Sequence, residues 1–292
     1  MSQEQLDQEQ LQKSAGTASP LQGSGLGQVT EYPQSYAPEV LFPVPRADNR
    51  ATLGHSVWPW FGFDLWYAYE LSWLNRSGLP QVALAAIEVP AHSTHIVESK
   101  SLKLYLNSLN MTQFGQANDV AAMLSQDLSR AAGAPVQVTL HPADDPQMTA
   151  TGSLPDGAAV CLDRQDIVIT QYTVQSDLLQ TVPDKSAEET LYSQLLRSNC
   201  PVTGQPDWGS VVIDYAGPAL DHAALLRYIV SYRNHTGFHE HCVERIFTDL
   251  LALGEFARLS VRAHYLRRGG LDINPCRSLH QEYPDMRRWA RQ

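Results

Sequence analysis

No apolar run in this 292-residue chain approaches the roughly 20 residues that cross a bilayer as a helix. The N-terminus also lacks the basic-then-apolar pattern of a secretory signal and is instead rich in Gln and Ser. The expectation is a cytoplasmic protein with no membrane partner. Cysteine is scarce. The four residues Cys161, Cys200, Cys242 and Cys276 are far apart and form no CxxC pair, so in a reducing compartment they should be free thiols. Basic charge is in deficit, with 21 Lys and Arg against 31 Asp and Glu and a net charge of −10. A protein that grips nucleic acid normally carries a basic face, so a direct nucleic-acid ligand is disfavoured and a small molecule is expected. A dinucleotide fingerprint is missing too. The run Gly23-Ser24-Gly25-Leu26-Gly27 neither follows a strand nor opens a helix.

What is present is the composition of a globular protein, 43% hydrophobic and 18% charged, long enough for one large domain or two ordinary ones. Residues 1–28 read as a mobile arm. Beyond them, Phe61 to Leu74 and Val82 to Val89 read as strands. Ser99 to Leu109 and Asn118 to Ala132 read as helices, the second capped by Asn118, and Pro135 to His141 as a strand. The second half repeats this order. Strands are expected at Ile167–Val174 and Ser210–Tyr215. Helices follow from Asp221 to about Arg233 and from His239 to about Phe256, then a strand over Arg258–Arg267. A short helix with a capping box at Ser186-Ala187-Glu188-Glu189 and an apolar stripe of Leu191, Leu195 and Leu196 is expected before residue 200. Strand, helix, helix, strand thus occurs twice, about 120 residues apart. The fold class is α+β, with two related units at residues 29–150 and 151–292.

The stretch Ser198-Asn199-Cys200-Pro201-Val202-Thr203-Gly204-Gln205-Pro206-Asp207-Trp208 carries the most chemistry. Pro201, Gly204 and Pro206 favour a turn that brings Asp207 back toward Cys200. A thiolate is a strong nucleophile, and a carboxylic acid beside it can protonate what it attacks. The competing reading is a buried structural cysteine. In His239-Glu240-His241-Cys242-Val243-Glu244, Glu240 and His239 fall on or beside the apolar stripe of their helix, at its start. Glu240 is there either for the helix dipole or to bind a ligand. Glu98 lies on the buried side of Glu98-Ser99-Lys100-Ser101-Leu102-Lys103-Leu104-Tyr105. Lys100 and Lys103 are either solvated lysines or a phosphate patch aided by free N–H groups. Arg267-Arg268-Gly269-Gly270 is either a charged turn or an anion site. His235, His239, His241 and Cys242, which Cys200 could join, have the chemistry of zinc ligands, but the break near Gly237 spoils a single-face arrangement.

These segments, with Phe238-His239-Glu240 and the run Arg267 to Pro275, together resemble the NADPH-dependent nitrile reductases. Those enzymes convert 7-cyano-7-deazaguanine (preQ0) to 7-aminomethyl-7-deazaguanine (preQ1) in queuosine biosynthesis. The resemblance spans most of the chain after residue 30, and Glu98 to Tyr105 matches the family's signature. It implies tandem tunnelling-fold units, antiparallel sheets with helix pairs packed on one face, in a long form that is homodimeric. It implies Cys200 as nucleophile forming a covalent thioimide, Asp207 as proton donor and His239 as a proton-transfer aid. Val97, Glu98, Ser99, His239 and Glu240 would bind substrate, and Ser99, Lys100, Arg268 and Gly269 would bind NADPH, with no metal. The alternatives are a zinc-dependent GTP cyclohydrolase-like or pterin enzyme on the same fold, and a purine-binding protein without catalysis.

Overall fold

The computed structural model describes residues 32–54, 58, 60–149, 159–283 and 286–292. The arm expected at residues 1–28 and the boundary between the two expected units lie outside these residues. Ten strands are present among them. A small sheet pairs β1 (Pro43–Pro45) with β4 (His95–Val97). The large sheet has the order β5-β3-β2-β10-β9-β8-β7-β6. Its members are β2 (Phe61–Leu74), β3 (Pro80–Pro90), β5 (Gln137–His141), β6 (Ala159–Cys161), β7 (Thr181–Asn199), β8 (Pro206–Leu220), β9 (Arg258–Tyr265) and β10 (Leu271–Ser278). All neighbours run antiparallel except β6 and β7.

One pair of helices belongs to each half: α2 (Ser99–Asn107) and α3 (Ala117–Ala132), then α4 (His222–Ser231) and α5 (His239–Leu251). A short helix, α1 (Ala47–Ala51), precedes β2. Each pair buries its apolar stripe on alternate residues of the sheet. In the first half, Leu102, Tyr105 and Leu106 of α2 and Val120, Leu124 and Leu128 of α3 pack on Ala83, Ala85 and Ile87 of β3. In the second, Leu225 and Ile229 of α4 and Val243, Ile246 and Phe247 of α5 cover Val211, Ile213 and Tyr215 of β8 and Val261 and Ala263 of β9. The period of two in the strands and of three to four in the helices makes these faces coincide.

The halves join through β2 and β10, paired from Leu271 opposite Ala68 to Ser278 opposite Phe61. Gly62 sits in this seam with φ 146°, and a Cβ there would lie 2.0 Å from the Cys276 carbonyl oxygen. Only glycine lets the two backbones approach so closely. Behind the seam Arg46, Arg50, Asp64, Glu244 and Arg277 form a buried ionic network. Arg277 reaches Asp64 at 2.8 Å and Glu244 at 2.8 Å, and Arg50 reaches Glu244 at 2.6 Å. Arg46 bonds Asp64 at 2.5 Å. Two elements of the first half, α1 and β2, with the residue before α1, are thereby tied to α5 and β10 of the second.

Several sequence expectations are corrected. The helix expected over Ser186–Leu196 is part of β7, where Glu188 pairs with Arg258 and Glu189 accepts a hydrogen bond from Tyr215. Ile167 to Val174 is extended and packs on the core but joins no sheet. Asn118 lies inside α3, whose cap is Gln116, with Asp119 accepting the Gln116 N–H at 3.1 Å. α5 ends at Leu251, short of Phe256. β10 was not anticipated.

Candidate active site

β7 and β8 form the hairpin on which the site is built. Ser198 pairs with Asp207 and Asn199 with Pro206, so Cys200 opens the connecting turn and Asp207 stands two residues after its end. The Cys200 carbonyl accepts the Gly204 N–H at 3.0 Å, and its N–H donates to the Gln205 carbonyl at 2.9 Å, closing the turn. The hairpin tip is then fixed to the loop before α5. Asn199 donates to the His235 carbonyl at 2.8 Å and accepts from Gly237 N–H at 3.1 Å. α5 follows at once and presents His239 and Glu240 from its first turn.

A β-bulge decides which face Cys200 occupies. Along β7, Leu191 and Ser193 are buried. The register shifts between Ser193 and Leu196, and burial then falls on Leu196, Ser198 and Cys200. Unbroken alternation from Leu191 and Ser193 would put Cys200 on the other face of the sheet. With it, Cys200 shares a face with Asp207, which lies in phase with Gly209 and Val211 on β8.

One cleft gathers Cys200, Asp207, His239, Glu240 and Arg268 from the second half with Val97, Glu98 and Ser99 from the first. Trp66 of β2, Phe238 and Ile273 of β10 supply apolar walls. Inside it, the Arg268 guanidinium donates to Asp207 Oδ1 at 2.7 Å. His239 Nε2 lies 3.3 Å from Asp207 Oδ2. The His239 ring stacks on Tyr265, with centroids 3.8 Å apart and planes 14° from parallel. Its Nδ1 is buried with no hydrogen-bond partner among the described residues. That arrangement favours a proton on Nε2, toward Asp207.

The electrostatics single out two groups. Burial pushes the Cys200 thiol up, but hydrogen bonds from Thr203, Val202 and Arg268 outweigh it and leave the thiol below its ordinary value. Cys242 and Cys276, fully buried, are pushed up to about 12. Of these three, Cys200 alone has the environment of a reactive thiol. Glu240 is buried, and burial, with Asp64 nearby, pushes its carboxyl up to about 8 against the pull of Arg46 and Arg277.

Two expected residues lie off the cleft. Lys100 is in the first turn of α2, and Gly269 lines a neighbouring cavity of about 150 Å3 with Lys103, Asn107, Glu70 and Asn110. The free N–H groups expected at the start of α2 are taken. The Glu98 carboxylate caps that helix, accepting from Lys100 N–H and Ser101 N–H at 2.8 Å each. The proposed zinc ligands diverge: His235 packs edge-on against Tyr232, and His241 contacts Asn49. Burial pushes both of these imidazoles down to about 4. Residues that the sequence reading passed over include Tyr265, Trp66 and the five members of the ionic network. A buried Arg has no local pattern, and its signal is visible only once its partners meet.

Residues 32–140 match a family model described as "Nitrile reductase, 7-cyano-7-deazaguanine-reductase N-term". Residues 206–284 match a second, "QueF-like protein". The chain is 53% identical over 263 residues to a protein of Dechloromonas aromatica named NADPH-dependent 7-cyano-7-deazaguanine reductase, covering 89% of this chain and 92% of that one. A protein of the same name from Burkholderia lata is 53% identical over 272 residues, covering 92% and 98%. The chain belongs to this nitrile reductase family. Within it, Val97, Glu98, Ser99 and Lys100 fall in the first matched span, and Asp207, His239, Glu240, Arg268 and Gly269 in the second. Cys200 lies between the two spans, and the hairpin brings it to the residues of both.

Proposed function

We propose that the chain reduces the nitrile of preQ0 to the aminomethyl group of preQ1, with NADPH as the reductant, as an oxidoreductase of queuosine biosynthesis. The observation that carries this reading is the hairpin. It sets a thiol of lowered pKa next to a carboxyl group, in a cleft whose relatives are named for this reaction.

The chemistry of the residues follows from their places. The deazaguanine edge donates two parallel N–H bonds to Glu240 and so holds it in the ionised form that burial alone disfavours, and Val97, Glu98, Ser99 and His239 complete the contacts. Cys200 Sγ adds to the nitrile carbon. Asp207 hands its proton to the nitrile nitrogen, and the proton lost by the thiol replaces it, so the thioimide forms by net addition. Two NADPH molecules, bound in turn, would each supply one hydride, and the thiolate of Cys200 would leave between the two reductions. His239, with Nε2 3.3 Å from Asp207, returns protons to it. For the cofactor, Ser99, Lys100, Arg268 and Gly269 are the holding residues. Gly269 has φ 61° and brings its backbone close to Lys103 Nζ, 3.1 Å from where a Cβ would stand. A bare backbone beside two cations suits a phosphate.

Purified protein with preQ0 and no added metal should oxidise two NADPH for each preQ0 and yield preQ1. Tight preQ0 binding without NADPH oxidation would favour the purine-binding alternative instead.

The finer architecture belongs to the same reading. The repeated order of two strands, two helices and a returning strand supports tandem tunnelling-fold units at residues 29–150 and 151–292. The sheet ends on two short strands, β5 and β6, and open edges call for a partner. We expect a homodimer, seen by light scattering as twice the 32.4 kDa chain mass. A monomer at micromolar concentration contradicts this. A reactive free thiol suits the reducing cytoplasm.

A further inference from the structure

We propose that Arg268 activates Cys200, stabilising its thiolate directly before any cofactor is bound. The resemblance assigns Arg268 only to NADPH, and this second role rests on the reading of Cys200 as nucleophile. Three observations carry it. First, the Arg268 guanidinium is inside the substrate cleft, where it lines the same wall as Cys200 and Asp207. Second, it is held there by its 2.7 Å bond to Asp207 Oδ1, so its position does not depend on a cofactor phosphate. Third, the Asp207 that holds it sits on the same hairpin as Cys200, and the Arg268 guanidinium is among the groups that lower the Cys200 thiol. A planar fork held on Asp207 in this cleft can serve the nucleophile and the proton donor together, as a guanidinium can and an ammonium cannot do as well.

The turn explains how Arg268 arrives. β9 ends at Tyr265, and the Arg268 N–H and carbonyl bond back to Leu271 across Gly269 and Gly270, at φ 61° and 75°. This tight reversal sets the half-buried side chain against the hairpin, on Asp207. Among the described residues no other Arg or Lys lines the cleft. Removing Arg268 leaves the thiolate with Thr203 and Val202 alone, as neutral donors. Charge-assisted hydrogen bonds are about twice as strong as neutral ones.

The test needs neither preQ0 nor NADPH, so its outcome is separate from whether the chain is a nitrile reductase. Alkylation of Cys200 by iodoacetamide is followed across pH by peptide mass spectrometry, which separates it from the other three cysteines. Wild-type protein should give a midpoint below the ordinary thiol value of about 8.5. Arg268→Ala should raise the midpoint by on the order of one pH unit, about tenfold slower alkylation at neutral pH. Arg268→Lys should fall between the two. Asp207→Asn removes the other partner of the guanidinium but keeps its charge, and should not raise the midpoint. An unshifted midpoint in Arg268→Ala, with thermal unfolding unchanged, overturns the proposal. So does an Asp207→Asn midpoint raised as far as that of Arg268→Ala, because Arg268 would then act only by placing Asp207.

Discussion

Glu240 and Glu244 stand one turn apart on α5, and the protein treats them in opposite ways. Both are buried, which by itself raises a carboxyl. At Glu244 the charges of Arg277, Arg46 and Arg50 and the Arg50 hydrogen bond outweigh burial and hold the group far below the usual carboxylate range. At Glu240 burial and Asp64 win, and the group rises to about 8. The linkage signs follow. Glu244 contributes stability above its unfolded value of about 4.3, lost as pH falls through its depressed folded value. Glu240 contributes stability below about 4.3 that is lost as pH rises toward 8. Glu244→Gln should therefore destabilise the fold by about 3–5 kcal/mol at neutral pH, because it strands buried arginines. Glu240→Gln should raise the unfolding temperature at pH 8 relative to wild type while weakening preQ0 binding. Binding residues that cost stability are a recurring trade-off. Chemical unfolding and thermal scans at pH 5 and 8 decide the matter. Equal losses in the two variants would refute the distinction. Neither behaviour was legible in the sequence. It placed Glu240 on the buried face, but the arginines that separate the two carboxylates come from residues 46, 50 and 277.

At the scale of elements, the parts that follow a clean period were readable and the parts that break it were not. The strand Phe61–Leu74, the strand around Val82–Val89, and the helices α2 and α5 all appear where the apolar spacing put them. Asp221 caps α4 as expected, accepting the Ala224 N–H at 2.8 Å. β7 misled because of its bulge. Leu191 and Leu196 are both buried, and a five-residue interval between inward residues imitates a helix better than a strand. The acidic pair Glu188-Glu189, which looked like a helix start, instead serves cross-strand partners. The misleading feature is thus the one that turns Cys200 into the cleft. β10 escaped notice for another reason. It is central and buried on both faces, so it shows no alternation, and Pro275 argues against a central strand. Its buried polar residues Asp272, Asn274 and Arg277 hide the apolar signal further.

Over the whole molecule, the site exists because the two halves share one sheet. The β2–β10 seam and the ionic network fix β4 and the start of α2 against the hairpin and α5, and residues of both halves line the cleft. The Cys200 to Asp207 turn was visible in the sequence through its prolines and glycine, as was its likeness to the nitrile reductases. The convergence of Glu98 with Glu240 depends on pairing between strands some 200 residues apart, which local patterns do not encode. The central claim is that Cys200 adds covalently to the nitrile within this cleft. Intact-protein and peptide mass spectrometry after incubation with preQ0, without NADPH, tests it most directly. The account predicts one adduct per chain, heavier by the full mass of preQ0, located on the Cys200 peptide and absent from Cys200→Ala. No adduct in protein that binds preQ0, or an adduct that survives in Cys200→Ala, would contradict it.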